Sequence, residues 1–429
     1  MSLADLAATE LAEGLVRGAF TAEAVCVAHL ARIAEREPVV HAFAALDPSA
    51  AMSAARTLDK HGPRGPLFGL PIAVKDVLDT ADLPTGMGSP IWSGHRQRAD
   101  AACVALARAA GALVLGKTVT AEFAYVQPGP TTNPHNARHT PGGSSSGSAA
   151  AVACGMAPLA LGTQTGGSIL RPAAFCGIIG FKPSYGLIPR AGLKLMSESL
   201  DTIGVFARRV ADVALLTPVL AGLAPWHLEP AARPIIGLCR SHPWGLASVD
   251  ARQSTEDAAA RLEAAGAELR EVMLPNGFEE LLDIRHCIND FEIARAMAWE
   301  WNAAYAQLSP RLVATIASGF VIPLADYGRA QRRAAAARGA FSAAMQGCDA
   351  LLVPGAADEA PEGLGSTGDS RFQGIWTLLQ GPALGLPTHR GRNGLPLGVQ
   401  LVAKWGADAR LLAVGAWAEA ALGPPRQIV

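Results

Sequence analysis

The sequence predicts an α/β layer fold in which helices pack on a mixed or largely parallel β-sheet. Two observations carry this. Short apolar runs of strand length alternate with stretches of helical periodicity over roughly residues 61–240, the pattern of layered sheet-and-helix architectures. Half of the 429 residues are apolar, with 45 glycines and only 6% aromatics. That composition supports a sizeable core in which helices pack closely on a sheet.

In chain order, residues 1–60 are predicted as helices. Leu3, Leu6, Leu11 and Leu15 share one apolar face and Val25, His29 and Ile33 another. Thr21, ahead of Ala22-Glu23-Ala24, is a predicted N-cap with an acid in the first turn. A catalytic core over 61–222 follows. PIAV (71–74) is a buried strand, 98–110 a helix, and ALVLGK (112–117) a second strand. Further short apolar runs lie at 158–163, 177–181 and 234–239. The segment 126–148 is rich in Pro, Gly, Thr, Asn and Ser, and connections of that length in compact domains tend to be functional. Residues 224–234 are the best linker candidate. The part over 235–429 is taken as the same single domain, with 275–345 as a helical cover on one side of the sheet.

Thirty-six Lys and Arg face 37 Asp and Glu, a net charge of −1. This gives no electrostatic case for nucleic acid or an anionic membrane as main partner. The apolar stretches are broken before about 18 residues, so no membrane span is predicted. The acidic N-terminal MSLADLAATELAEG does not read as a secretory leader. Seven cysteines occur without CxxC spacing, which suits reduced, buried thiols and a cytoplasmic location. The histidines show no HExxH; His135 and His139 lie four apart in a Pro- and Asn-bearing loop without a carboxylate. No metal and no organic cofactor is predicted.

Three motifs carry the chemistry: GLPIAVKD around Lys75, TPGGSSSGSAAAVA around Ser144, and GTQTGGSILRP around Ser168. A hydroxyl is a weak nucleophile at neutral pH and needs a base. A lysine serves as one only when burial lowers its pKa enough to leave it neutral. Lys75 leaves an apolar strand; Asp76, its neighbour, points to the opposite face of a strand and need not pair with it. The Gly166-Gly167 turn follows the apolar run LALGTQ and precedes helix-compatible residues. At such a junction successive N–H groups of Thr165, Gly166, Gly167 and Ser168 can converge on an oxyanion. Taken alone, Ser168 could equally cap the next helix. Ser145 and Ser146 are predicted to cap the Ala-rich helix after them. GSSSG also fits the form of a nucleophile elbow, but no strand precedes it.

Together these motifs resemble the amidase signature family, as do TTNPHN (131–136), SLDTIG (199–204), CDALLVP (348–354) and GLPLGVQLVAKWGADARLL (394–412). The resemblance covers almost the whole chain. It implies the amidase signature fold, an α/β fold with a central mixed β-sheet covered by helices on both faces, and hydrolysis of a carboxylic amide to an acid plus ammonia or an amine. It further implies Ser168 as nucleophile, Ser144 as a relay whose own peptide bond is cis, and Lys75 as base. Gly142, Gly143, Tyr125 and Trp92 are implied as substrate-binding positions, the two aromatics being equally compatible with packing. One departure is informative. The family commonly places Arg two residues after the nucleophile, and here Arg171 is three residues on, with Gln164 in place of a frequent Asp. Malonamidase-like members share this pattern, and in them the arginine binds a substrate carboxylate. Arg171 is therefore either a carboxylate ligand or a structural residue tied to backbone carbonyls or to an acid such as Asp201. A small-molecule amide is the expected partner, and a homodimer the default oligomer. The alternatives are the glutaminase subunit of a tRNA-dependent amidotransferase and a non-catalytic binding relative.

Overall fold

A computed structural model describes residues 2–229, 231–240, 243–345 and 347–428. The elements in chain order begin with α1 (Ala8–Val16), α2 (Ala22–Val40), β1 (Phe43–Leu46), α3 (Pro48–His61), β2 (Pro71–Lys75), α4 (Ala102–Ala109) and β3 (Leu113–Thr118). Then come α5 (Ser146–Ala153), β4 (Leu159–Gln164), α6 (Leu170–Cys176), β5 (Ile179–Lys182), β6 (Thr202–Ala207) and α7 (Val210–Leu220). The second half holds β7 (Ile235–Leu238), α8 (Val249–Ala264), β8 (Glu268–Glu271), α9 (Leu281–Ala296), α10 (Ala298–Ala303), α11 (Pro310–Val321) and α12 (Leu324–Ala344). It ends with β9 (Ala350–Pro354), α13 (Arg371–Leu378), β10 (Ala383–Arg390), β11 (Pro396–Val402), α14 (Asp408–Leu422) and β12 (Arg426–Gln427).

The strands form one sheet in the order β1-β3-β2-β4-β6-β5-β10-β11-β9-β7-β8, with β12 beside β10. It is mixed: β2 runs parallel to β3 and β4, whereas β4–β6, β6–β5 and β5–β10 are antiparallel. Every residue of β2, β3, β4, β6 and β9 is buried. Strands buried on both faces require helices on both sides of the sheet, as the family resemblance implies. No helix among the described residues is long and apolar enough to cross a membrane.

The predicted strands at 71–74, 112–117, 158–163, 177–181 and 234–239 correspond to β2, β3, β4, β5 and β7, and the helix at 98–110 to α4. The all-helical reading of 1–60 misses β1, an edge strand that pairs antiparallel with β3. Its FAAL is too short to show alternation between two strong helices. Thr21 caps α2 by accepting from Ala24 N, and Val25, His29 and Ile33 are buried along it. Leu3 lies in a separate 3-10 turn ahead of α1, so the first apolar face is split. The helical cover is α9 to α12. Its α9 packs against α11, α12 and α13. Residues 224–234 run irregularly between α7 and β7, with Pro230 outside the described residues.

Candidate active site

Lys75 is the last residue of β2, a central strand, and its side chain is fully buried. Nζ donates to Ser144 Oγ at 2.8 Å and to Thr163 Oγ1 at 2.7 Å. Asp76 is turned to another partner: Lys117, also buried, approaches its carboxylate at 3.2 Å. Among the described residues, no carboxylate forms an ion pair with Lys75 to hold its proton. Burial pushes its pKa down from 10.5 to about 7, partly opposed by the more distant charge of Asp201.

The serine run is stitched onto β4. The Gly143–Ser144 peptide is cis. Ser145 occupies the N-cap position of α5 without a capping bond. Its hydroxyl instead donates to Thr163 O (3.2 Å) and accepts from Thr163 N (3.3 Å). Ser146 Oγ donates to Val119 O. The expected capping by these two serines is thus replaced by bonds to β4 and to the residue after β3. Gly142 and Gly143 let the loop before these serines pass close to α6 and to Thr367. A β-carbon on Gly142 would stand 2.8 Å from Pro172 Cα, and one on Gly143 2.7 Å from Thr367 Cγ2. Gly142 also has a φ of +81°, which favours glycine.

Ser168 lies in the turn from β4 to α6, the predicted strand-to-helix junction. It is 8% exposed, and its hydroxyl bonds to no described residue, Ser144 included. Hydrogen bonds of this kind commonly tighten only when substrate binds. None of the N–H groups of Thr165, Gly166, Gly167 and Ser168 donates to another described group. Gln164 shapes the turn from below: its Oε1 accepts from Ile169 N (2.9 Å) and Leu170 N (3.1 Å). Its Nε2 donates to Thr377 Oγ1 at 2.9 Å, and that hydroxyl donates to Gly166 O at 2.7 Å. Thr165 Oγ1 donates to Asp201, which also accepts from Met196 N and Ser197 N.

Arg171, 4% exposed, follows Ser168 by less than one helical turn. Nη2 donates to Gly143 O at 2.7 Å and Thr367 Oγ1 at 3.0 Å, while Nε and Nη1 are enclosed and unpartnered. Burial lowers its pKa to about 10. Asp201, offered by the sequence as its acidic partner, is committed to Thr165 and the 196–197 backbone. Trp92 and Tyr125 join the apolar cluster formed with α9 and α11. Trp92 Nε1 donates to Glu300, and Tyr125 shares a hydrogen bond with Thr315. A cavity of about 640 Å³ lined by His135, Cys176, Arg208, Glu419 and others contains none of these groups.

Sequence reasoning missed Thr163 and Thr377, which bond to Lys75 and to the β4–α6 turn. Thr163 carried a local signal, since it sits within the Ser168 motif. Thr377 comes from α13, far along the chain, and no motif marks it.

The sequence profile described as Amidase matches residues 24–412. A glutamyl-tRNA(Gln) amidotransferase subunit from Acidothermus cellulolyticus is 36% identical, over 96% of this chain and 94% of that protein. A solved structure titled crystal structure of amidase superposes with a TM-score of 0.89 at 33% identity, covering 97% of this chain and all of the other. A second, described as part of a vestigial complex bearing on the origins of an s-triazine catabolic enzyme, gives 0.88 at 29% identity over 99% and 100%. With the buried Lys75–Ser144 contact and the open Gly166–Ser168 turn in one mixed sheet, these likenesses place the chain in the amidase signature family of amidohydrolases.

Proposed function

We propose that the protein is an amidase that hydrolyses a non-peptide carboxylic amide through Ser168, Ser144 and Lys75. The observation that carries this reading is a fully buried Lys75 with no carboxylate partner among the described residues and its Nζ 2.8 Å from Ser144 Oγ. An uncharged amine accepts a proton as well as donating one, so this contact can run in either direction. Ser168 Oγ attacks the carbonyl carbon and its proton passes through Ser144 to Lys75. The N–H groups of residues 165–168 take up the oxyanion. As the tetrahedral intermediate collapses, the C–N bond breaks and the proton held by Lys75 returns through Ser144 to the leaving nitrogen. Water then attacks the acyl-enzyme by the reverse route and releases the acid.

Arg171 suits a substrate carrying a carboxylate, because a guanidinium fork pairs bidentately with one and two of its nitrogens are uncommitted. The chain acts on its own as one domain in this reading. The relatives named as amidotransferase subunits favour a second one, glutaminase chemistry within a complex that handles tRNA. The purified chain separates the two by hydrolysing small amides unaided. Labelling with a fluorophosphonate, lost in Ser168→Ala and kept in Ser145→Ala, tests the nucleophile. An equal effect of Arg171→Ala on amides with and without a carboxylate would remove the anion from the account.

A further inference from the structure

Among the described residues, a further buried cation beside the nucleophile turn has no part in this chemistry. Arg285 on α9 is 6% exposed and makes no hydrogen bond or ion pair with a described residue; its Nε is enclosed and unpartnered. A guanidinium offers five donors and keeps its charge. Enclosing one without an anion is costly, so its position is informative. Nη1 stands 3.5 Å from where a β-carbon of Gly166 would lie, and Ser370 Oγ stands 3.7 Å from the same point. Nε stands 3.0 Å from the corresponding point on Gly374. Arg285 thus lies beside the turn whose N–H groups face the reacting carbonyl, and glycine at 166 leaves the gap between them clear.

Arg171 approaches from the other end of the 367–370 segment, with Cδ 3.4 Å from the β-carbon position of Gly368. The acids nearby do not neutralise the pair. Asp369 is bound by Arg371 through Nε, Nη2 and the backbone N–H. Asp290 accepts from Asn289 and acts on Arg285 only at a distance. At Arg171 the charge of Asp369, too distant for an ion pair, opposes the effect of burial, and the charge of Arg285 adds to it. Two buried guanidinium groups, each with idle donors, thus border the nucleophile turn without an anion of their own.

We propose that Arg285 is a specificity-determining residue that pairs with a carboxylate on the acyl portion of the substrate, completing with Arg171 a two-guanidinium clamp beside Gly166. This rests on the amidase reading and extends it. A substrate with a neutral acyl end would leave both arginines unpaired in the complex, whereas an acid-terminated one satisfies them. The competing role, direct stabilisation of the oxyanion by Arg285, predicts equal effects on neutral and charged ligands.

The test uses the intact chain and the rate at which a neutral fluorophosphonate labels Ser168. Malonate and succinate serve as competing anions, and their uncharged diamides as controls. Wild type is expected to be protected by the diacids. Arg285→Met is expected to weaken that protection about 10- to 100-fold, and to alter unprotected labelling and diamide protection by much less than that. Arg285→Lys is expected to restore part of it. Arg285→Met removes an unpaired buried charge and is expected to melt no lower than wild type. A lower melting temperature with loss of labelling would make Arg285 structural and overturn the proposal. Protection lost in Arg171→Met but intact in Arg285→Met overturns this inference alone. If diacids protect no form of the enzyme, the carboxylate reading fails at both arginines, while the nucleophile assignment is judged by Ser168→Ala.

Discussion

Lys75 can take a proton only when it does not already hold one, and its surroundings decide that. The carboxylate next to it in sequence is engaged by Lys117, leaving burial as the main influence and bringing its pKa to about 7. A base with that pKa is active above it. We therefore expect kcat/KM to rise with pH through an apparent pKa of about 7, and a profile flat from pH 5 to 9 would contradict the assignment. The negative charge of Asp201 opposes the downward shift. Asp201→Asn keeps an acceptor for Thr165 while removing that charge, so it should move the acid limb to lower pH. A limb displaced upward would show that Asp201 acts differently.

Among the elements, the turn between β4 and α6 is set by groups reaching it from α13. Thr377 joins Gln164 to Gly166 through one hydroxyl, and Gln373 lies against Gly167. Thr377→Val removes both bonds of that hydroxyl to the turn. It should lower kcat about 10- to 100-fold through misplacement of the turn, with Thr377→Ser close to wild type. Equal activity of all three would mean that the turn holds its shape unaided. A β-carbon on Gly167 would stand 2.6 Å from Gln373 Oε1, whereas one on Gly166 meets nothing closer than 3.5 Å. Gly167→Ala should therefore lower the melting temperature more than Gly166→Ala, a comparison that thermal melts settle. These contacts also mark the limit of the sequence. The strands β2, β3 and β4 are legible as bounded apolar runs, and the motifs at Lys75, Ser144 and Ser168 are local. Gln164 stands out in the sequence as a substitution, but its use as a brace depends on Thr377, 213 positions away. Arg285 and Thr377 sit in ordinary helical stretches, and β1 lies at an edge where four residues show no period.

At the scale of the molecule, a single sheet unites the two halves of the chain. β5 pairs with β10 through Phe181–Leu384 and its neighbours, so the stretch before residue 224 and the stretch after 234 share one ladder. We expect residues 1–222, which contain Lys75, Ser144 and Ser168, to give no fluorophosphonate labelling alone and to regain it when co-expressed with residues 235–429. Full labelling of the isolated fragment would show that it folds as a separate unit. Because the proposed relay draws on β2, the serine loop and the β4–α6 turn, its base has to be observed in the intact enzyme. The most direct measurement is an NMR titration of Lys75 labelled at Cε, assigned by its loss in Lys75→Met. The account predicts a midpoint near the acid limb of kcat/KM, about pH 7, with an uncharged amine above it. A Lys75 that stays protonated to pH 10 while the enzyme turns over would contradict it.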